Sequence, residues 1–191
     1  MGRITTMLII TGPEESGLRE LALFCRRLGL ETGGDAEGTP QAGDNAVVRI
    51  NEDISRKLPG CEESEGKAGS PFGKLGSLWP AAFRKNAMDR NRDSIQREYE
   101  EAIRSLSEVV IVDPRFMRCP ALLEIWHAIR NDLRVLLTYR APASSPADNL
   151  RESFSDCIEM LLKLDIGFQI LLYPQFLTQS EIVCATISEQ K

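Results

Sequence analysis

Six residues near the start of the chain have the make-up of an anion cradle: Gly12-Pro13-Glu14-Glu15-Ser16-Gly17. Glycine at both ends lets the backbone turn tightly, so that N–H groups can converge on a negative charge. An apolar helical pattern opens directly after Gly17, which would add the positive end of a helix dipole. Arg19 has two readings: it supplies charge to such a site, or it points to solvent on the first helical turn. Glu14 and Glu15 would repel a bound phosphate. They read either as first-turn acids that suit a helix N-terminus or as candidates for a general base. Two more clusters stand at strand ends, Asp113-Pro114-Arg115 and Arg140-Ala141-Pro142. Arg115 either faces a pocket or pairs with Asp113 or Glu124. His127, the single histidine, is the remaining base candidate. Its place beside Trp126 in a helical pattern also fits a helix-surface or core residue. Trp79 and Trp126 read as packing residues.

The separation of Gly12 and Gly17 matches the phosphate-binding pattern G-x-x-x-x-G-K-[ST], but the next residues are Leu18 and Arg19. The cation for the outer phosphates and the hydroxyl that holds Mg²⁺ are both missing. A conventional ATPase, GTPase or small nucleotide kinase is therefore disfavoured. Asp113 has the position of an acidic Mg²⁺ ligand, yet without the loop hydroxyl no metal is expected.

The elements that would position these residues alternate. Met7 to Ile10 is a continuous apolar run, as in a strand buried on both faces. Ser16 is placed to cap a helix carrying Leu18, Leu21, Ala22, Cys25 and Leu28, with Gly29 as its stop. Residues 33–44 read as a loop. Val47, Ile50, Ile54 and Leu58 give a helix over 46–58. Residues 59–80 are rich in Gly and Ser, lack periodicity and include Phe72. They read as a mobile lid or substrate loop, or as a disordered insertion. Residues 86–106 form a charged helix with an apolar stripe and a Glu100–Arg104 pair. A strand over 109–112, a helix over 120–130, a strand over 133–139, a helix over 145–163, a strand over 168–172 and a last helix over 180–187 complete the order. The expectation is one α/β domain over 1–191: three layers, a mostly parallel sheet with helices on both faces, of the P-loop NTPase-like kind. Ligands of such sheets bind beyond the carboxyl ends of the strands, where all three clusters would lie.

The totals agree with that class. The chain has 191 residues, 42% apolar and 27% charged, with a net charge of -5. An acidic balance argues against nucleic acid as partner. The five cysteines have no CxxC spacing and read as small core residues. An odd count without an export signal fits a reducing compartment, so the expected location is cytoplasmic. No apolar run reaches the ~20 residues of a membrane span.

Taken in order, the motifs resemble those of the bacterial sulfotransferase family. There, strand 1 leads into G-x-x-R-S-G-T-[ST] and an apolar helix ending near Leu-Gly; here stand Gly12 to Arg19 and Leu28-Gly29. Members carry K-D-P-R-[FL] and then a Leu-rich helix with Trp. This chain has Val112-Asp113-Pro114-Arg115-Phe116 and Leu122-Leu123-Glu124-Ile125-Trp126. A strand ending in R-x-P follows, matched by Arg140-Ala141-Pro142. The resemblance spans most of the chain. It implies binding of 3′-phosphoadenylyl sulfate and transfer of its sulfuryl group, without a metal, to a hydroxyl or amine of a small-molecule or glycan acceptor. Gly12, Ser16 and Gly17 would line the phosphosulfate, with Arg19 adding charge. Arg140 would hold the 3′-phosphate, for which a guanidinium fork is suited. The chain departs from the pattern at Glu15, Leu18 and Val112, where the family has Arg, Thr and Lys, and at Asp148 in place of Ser. These losses motivate the alternative of a catalytically inactive P-loop-like domain acting through protein partners.

Overall fold

The computed structural model describes residues 6–34, 46–58, 61, 81–106, 110–140 and 148–178. β1, Met7–Thr11, is buried at every position, as its unbroken apolar run requires. A 3₁₀ turn over Glu14–Ser16 leads into α1, Leu18–Arg27. Gly29, at φ 77°, stops the helix; its N–H donates to Arg26 O, and Leu30 N donates to Cys25 O. Next come β2 (Thr32–Gly34), α2 (Ala46–Lys57) and α3 (Ala81–Arg104). β3 (Val110–Val112), α4 (Arg115–Arg118), α5 (Ala121–Ile129) and β4 (Leu133–Arg140) follow. α6 (Asp148–Lys163), β5 (Gly167–Tyr173) and α7 (Gln175–Thr178) complete the described chain.

The five strands make one sheet in the order β2-β3-β1-β4-β5, and every pairing is parallel. Strand alternation sorts the core into two sides. Leu8 and Ile10 face α1 together with Val112, Leu136 and Leu171, and Leu18, Leu21 and Cys25 close over them. Met7 and Ile9 face the other way with Ile111, Val135 and Leu137. There α2, α3, α5 and α6 supply Ile54, Ile103, Trp126 and Leu161. Helices thus cover both faces. Burying each such large side chain stabilises the fold by about 1.5–3 kcal/mol. No helix among the described residues is long and apolar enough to cross a membrane.

Several expectations are corrected. Thr32–Gly34, mostly read as loop, is an edge strand, because its backbone alone completes a ladder with β3 (Thr32↔Val110, Gly34↔Val112). Ser16 does not cap α1; the N-cap is Gly17 in the left-handed region, and Ser16 is taken up by the 3₁₀ turn. α4 and α7 are single turns too short to show a period. The cysteines are not all separate core residues: Cys61 and Cys119 form a disulfide with a Cα–Cα distance of 5.1 Å. A sequence separation of 58 offers no local motif; the fold brings the chain after α2 beside the start of α5. The lid or insertion over 59–80, apart from Cys61, and the last helix over 180–187 lie outside the described residues, as do Phe72, Trp79 and Cys184.

Candidate functional site

β1 delivers the chain to the rim formed by the carboxyl ends of the strands. Gly12 has φ 156° and is fully packed: a side chain there would overlap Thr138 of β4, and its Cβ would lie 2.9 Å from Ser16 Oγ. Pro13 is extended, the turn over Glu14–Ser16 follows, and Gly17 takes φ 86°. A Cβ on Gly17 would overlap Tyr173 and come 2.7 Å from Phe176 Cζ. Both glycines are therefore demanded by close approach, and Gly17 by its dihedral as well. Ser16 is 0% exposed. Its hydroxyl donates to Pro13 O at 2.5 Å and pairs with the Thr138 hydroxyl. Thr138 Oγ1 also lies 3.4 Å from Thr11 O. A buried relay of two hydroxyls thus ties the turn to β4.

Arg140 ends β4 in register with Tyr173 of β5. Its guanidinium sits 5.7 Å from the Tyr173 ring centroid, within cation–π range. Tyr173 packs on Gly17, so Arg140, Tyr173 and the turn form one cluster across the ends of β1, β4 and β5. Arg19 and Glu15 are exposed beside it; the side chain of Glu14 lies outside the description. Gly12, Ser16, Gly17 and Arg140 are thereby gathered on one rim, with Arg19 in the first turn of α1. His127 is not with them. A helix joining parallel strands runs back along the sheet, so the last turn of α5 lies toward the opposite rim. Its Nδ1 is buried with no hydrogen-bond partner among the described residues.

A second polar cluster stands at the end of β3, one strand over. Asp113 is fully buried, and its backbone N–H donates to Ile10 O at 3.0 Å. Asn51 Nδ2 donates to its Oδ2 at 2.8 Å, and Arg115 N to its Oδ1 at 2.9 Å. Asn51 Oδ1 in turn accepts from Trp126 Nε1 at 2.9 Å. Burial pushes the Asp113 carboxyl above its ordinary range, against the opposing pull of Asn51 and Arg115. Arg115 pairs with Asp113 (3.4 Å) and with Glu52 (2.9 Å). Glu124, the other partner considered, is held by Arg92 and Lys163 at 2.6 and 2.5 Å. No group of three or more His, Cys, Asp or Glu among the described residues is arranged to hold a metal.

Beyond Arg115 a cleft of about 490 Å³ opens between α2 and α4, with Glu52, Ser55, Arg56, Arg118 and the Cys61–Cys119 bridge on its walls. Sequence reasoning missed Asn51, Thr138 and Tyr173. Asn51 left a trace: four residues after Val47 and next to Ile50, it is a polar residue inside an apolar stripe. Thr138 lies two residues before Arg140, on the same strand face. Tyr173, one residue beyond the strand expected over 168–172, gave no signal. No protein-family model matches this chain, and a search of the curated proteins finds no match.

Proposed function

We propose that this chain is a divergent sulfotransferase-like domain of the P-loop kind. It takes 3′-phosphoadenylyl sulfate at the carboxyl rim of β1 and β4 and moves the sulfuryl group to a hydroxyl or amine acceptor. The observation that carries the reading is the clustering of the Gly12–Gly17 turn with Arg140 on adjacent parallel strands. The strand order supports it. From β1 the chain departs toward β2, and from β4 toward β5, in opposite directions. Strand ends whose connections diverge leave the crevice in which ligands of open α/β sheets bind.

In this reading Gly12, Ser16 and Gly17 line the phosphosulfate, Arg19 adds charge, and Arg140 holds the 3′-phosphate. The acceptor atom attacks sulfur, the bond to the 5′-phosphate oxygen breaks, and the acceptor proton passes to a base, for which Glu14 and Glu15 are the nearest carboxylates in sequence. Binding requires Ser16 to exchange Pro13 O and Thr138 for an anionic oxygen. That requirement favours the second reading, an inactive accessory domain, because the turn's buried hydroxyls are already satisfied without a ligand.

Thermal melts of the full chain test the proposal. A ligand at about 100 times its Kd adds about 2.7 kcal/mol, which for a chain of this size raises Tm by roughly 5–10 °C. Adenosine 3′,5′-bisphosphate is expected to do so and adenosine 5′-monophosphate, lacking the 3′-phosphate, to do much less. Equal melts with and without the bisphosphate would favour the accessory domain.

A further inference from the structure

α1 carries an apolar stripe that the core of the chain does not use. Leu18, Leu21, Ala22 and Cys25 turn inward. On the opposite side Glu20, Leu23, Phe24, Arg27 and Leu28 follow at i, i+3, i+4, i+7 and i+8, the spacing of one helix face. Leu23 is 42% exposed and Leu28 45%, and Phe24 is half-buried. Leu177 of α7, 48% exposed, stands beside them, and a groove of about 370 Å³ runs between the two helices. A solvated helix face ordinarily carries polar side chains, so an apolar patch of this kind marks a contact surface. Its two ends are charged. Glu20, half-buried, lies one turn before Leu23, and Arg27, exposed, lies one turn after it. Neither has a hydrogen-bond or ion-pair partner among the described residues.

We propose that this stripe is the contact with a second copy of this chain, the two α1 helices packing antiparallel about a two-fold axis at Leu23 and Phe24. In a two-fold contact one patch serves both partners, so it must complement itself. Run antiparallel, the stripe does so. Leu23 and Phe24 meet their own counterparts at the centre, Glu20 faces Arg27 of the partner subunit, and Arg27 faces Glu20 of the partner subunit. Run parallel, Glu20 would meet Glu20 and Arg27 would meet Arg27, which repel. From Glu20 to Arg27 the helix rises only about 10 Å. One short helix face with α7 beside it covers less than the roughly 800 Å² per partner of a stable complex, so pairing is weak, in the micromolar range or above. The Gly12–Gly17 turn precedes α1, and antiparallel pairing therefore puts the two turns at opposite ends of the contact. The inference is independent of nucleotide binding at the β1–β4 rim.

Sedimentation velocity of the full chain, from low micromolar to near-millimolar concentration, tests the proposal. The average mass is expected to climb from that of one chain toward that of two. Glu20→Arg and Arg27→Glu each put two like-charge contacts into the dimer. Each is expected to weaken association by roughly tenfold or more at low salt, and less as salt rises. The double variant Glu20→Arg/Arg27→Glu restores opposite charges across the axis and is expected to associate within about threefold of the parent. Both positions lie on the outer side of α1, and circular dichroism checks that every variant is folded. A parent chain that stays single at every concentration would overturn the proposal and leave the groove to residues 179–191 or to another partner. Association indifferent to both single substitutions would also overturn it, by placing the contact on another face, as would a double variant no tighter than the singles.

Discussion

Replacing Asn51 with leucine removes the centre of the buried chain Trp126–Asn51–Asp113 while keeping the side-chain shape. Two interactions are lost. The bond from Asn51 Nδ2 to the Asp113 carboxyl, 2.8 Å, contributes about 1.5–3 kcal/mol where that carboxyl is ionised. Trp126 Nε1, in a fully buried side chain, is left without its 2.9 Å partner, which costs about 1–3 kcal/mol more. The added apolar group offsets about 1 kcal/mol, leaving a net loss of roughly 1.5–5 kcal/mol. With a urea slope of about 2 kcal/mol/M, the unfolding midpoint falls by roughly 0.75–2.5 M. The effect also carries a pH signature. Burial raises Asp113 in the folded chain, so the stability linked to its protonated form is full below about pH 4 and is lost as pH rises through the folded value. Asn51 opposes that rise, and without it the folded value climbs further. The deficit of the variant is therefore larger at pH 7 than at pH 4. Urea titrations followed by tryptophan fluorescence at the two pH values measure both effects. A midpoint shift under about 0.25 M, or a deficit that grows on acidification, would refute the reasoning.

Other consequences can be checked together. Gly17→Ala forces a side chain into Tyr173 and Phe176 at φ 86° and is expected to destabilise by about 2 kcal/mol or more in thermal melts; a neutral result would contradict the packing of the turn. Cys25 and Cys157 are buried, and burial pushes their thiols up to about 11 and about 12. Peptide mapping after iodoacetamide at pH 8 should find both unlabelled until the chain is unfolded. Reducing the Cys61–Cys119 bridge reopens a span of 58 residues. The chain-entropy limit for that loop is about 4 kcal/mol, so a loss of roughly 2–4 kcal/mol is expected in denaturant titrations.

The legible parts of the sequence were those with side chains that declare their surroundings. β1 and β3 are apolar runs that only a sheet covered on both faces can bury, and the stripe Val47, Ile50, Ile54, Leu58 marks the inner side of α2. Gly12 and Gly17 were legible because their conformation and close contacts exclude other residues. β2 was hidden because Thr-Gly-Gly contributes backbone bonds to β3 and almost no apolar surface. Thr138 was hidden because threonine is an ordinary strand former, and nothing local says that its hydroxyl meets Ser16 across the sheet. The pairings of Arg115 with Glu52 and of Cys61 with Cys119 were hidden for the same reason: both join parts of the chain that only the topology brings together.

The central claim is that the Gly12–Gly17 turn and Arg140 form one anion site. Isothermal titration with adenosine 3′,5′-bisphosphate, without magnesium, tests it directly when run beside Arg140→Ala. The account predicts micromolar binding by the parent chain and a loss of about 1.4 kcal/mol or more, at least tenfold, in the variant. A folded parent chain that gives no binding heat, or a variant that binds as tightly as the parent, would contradict it.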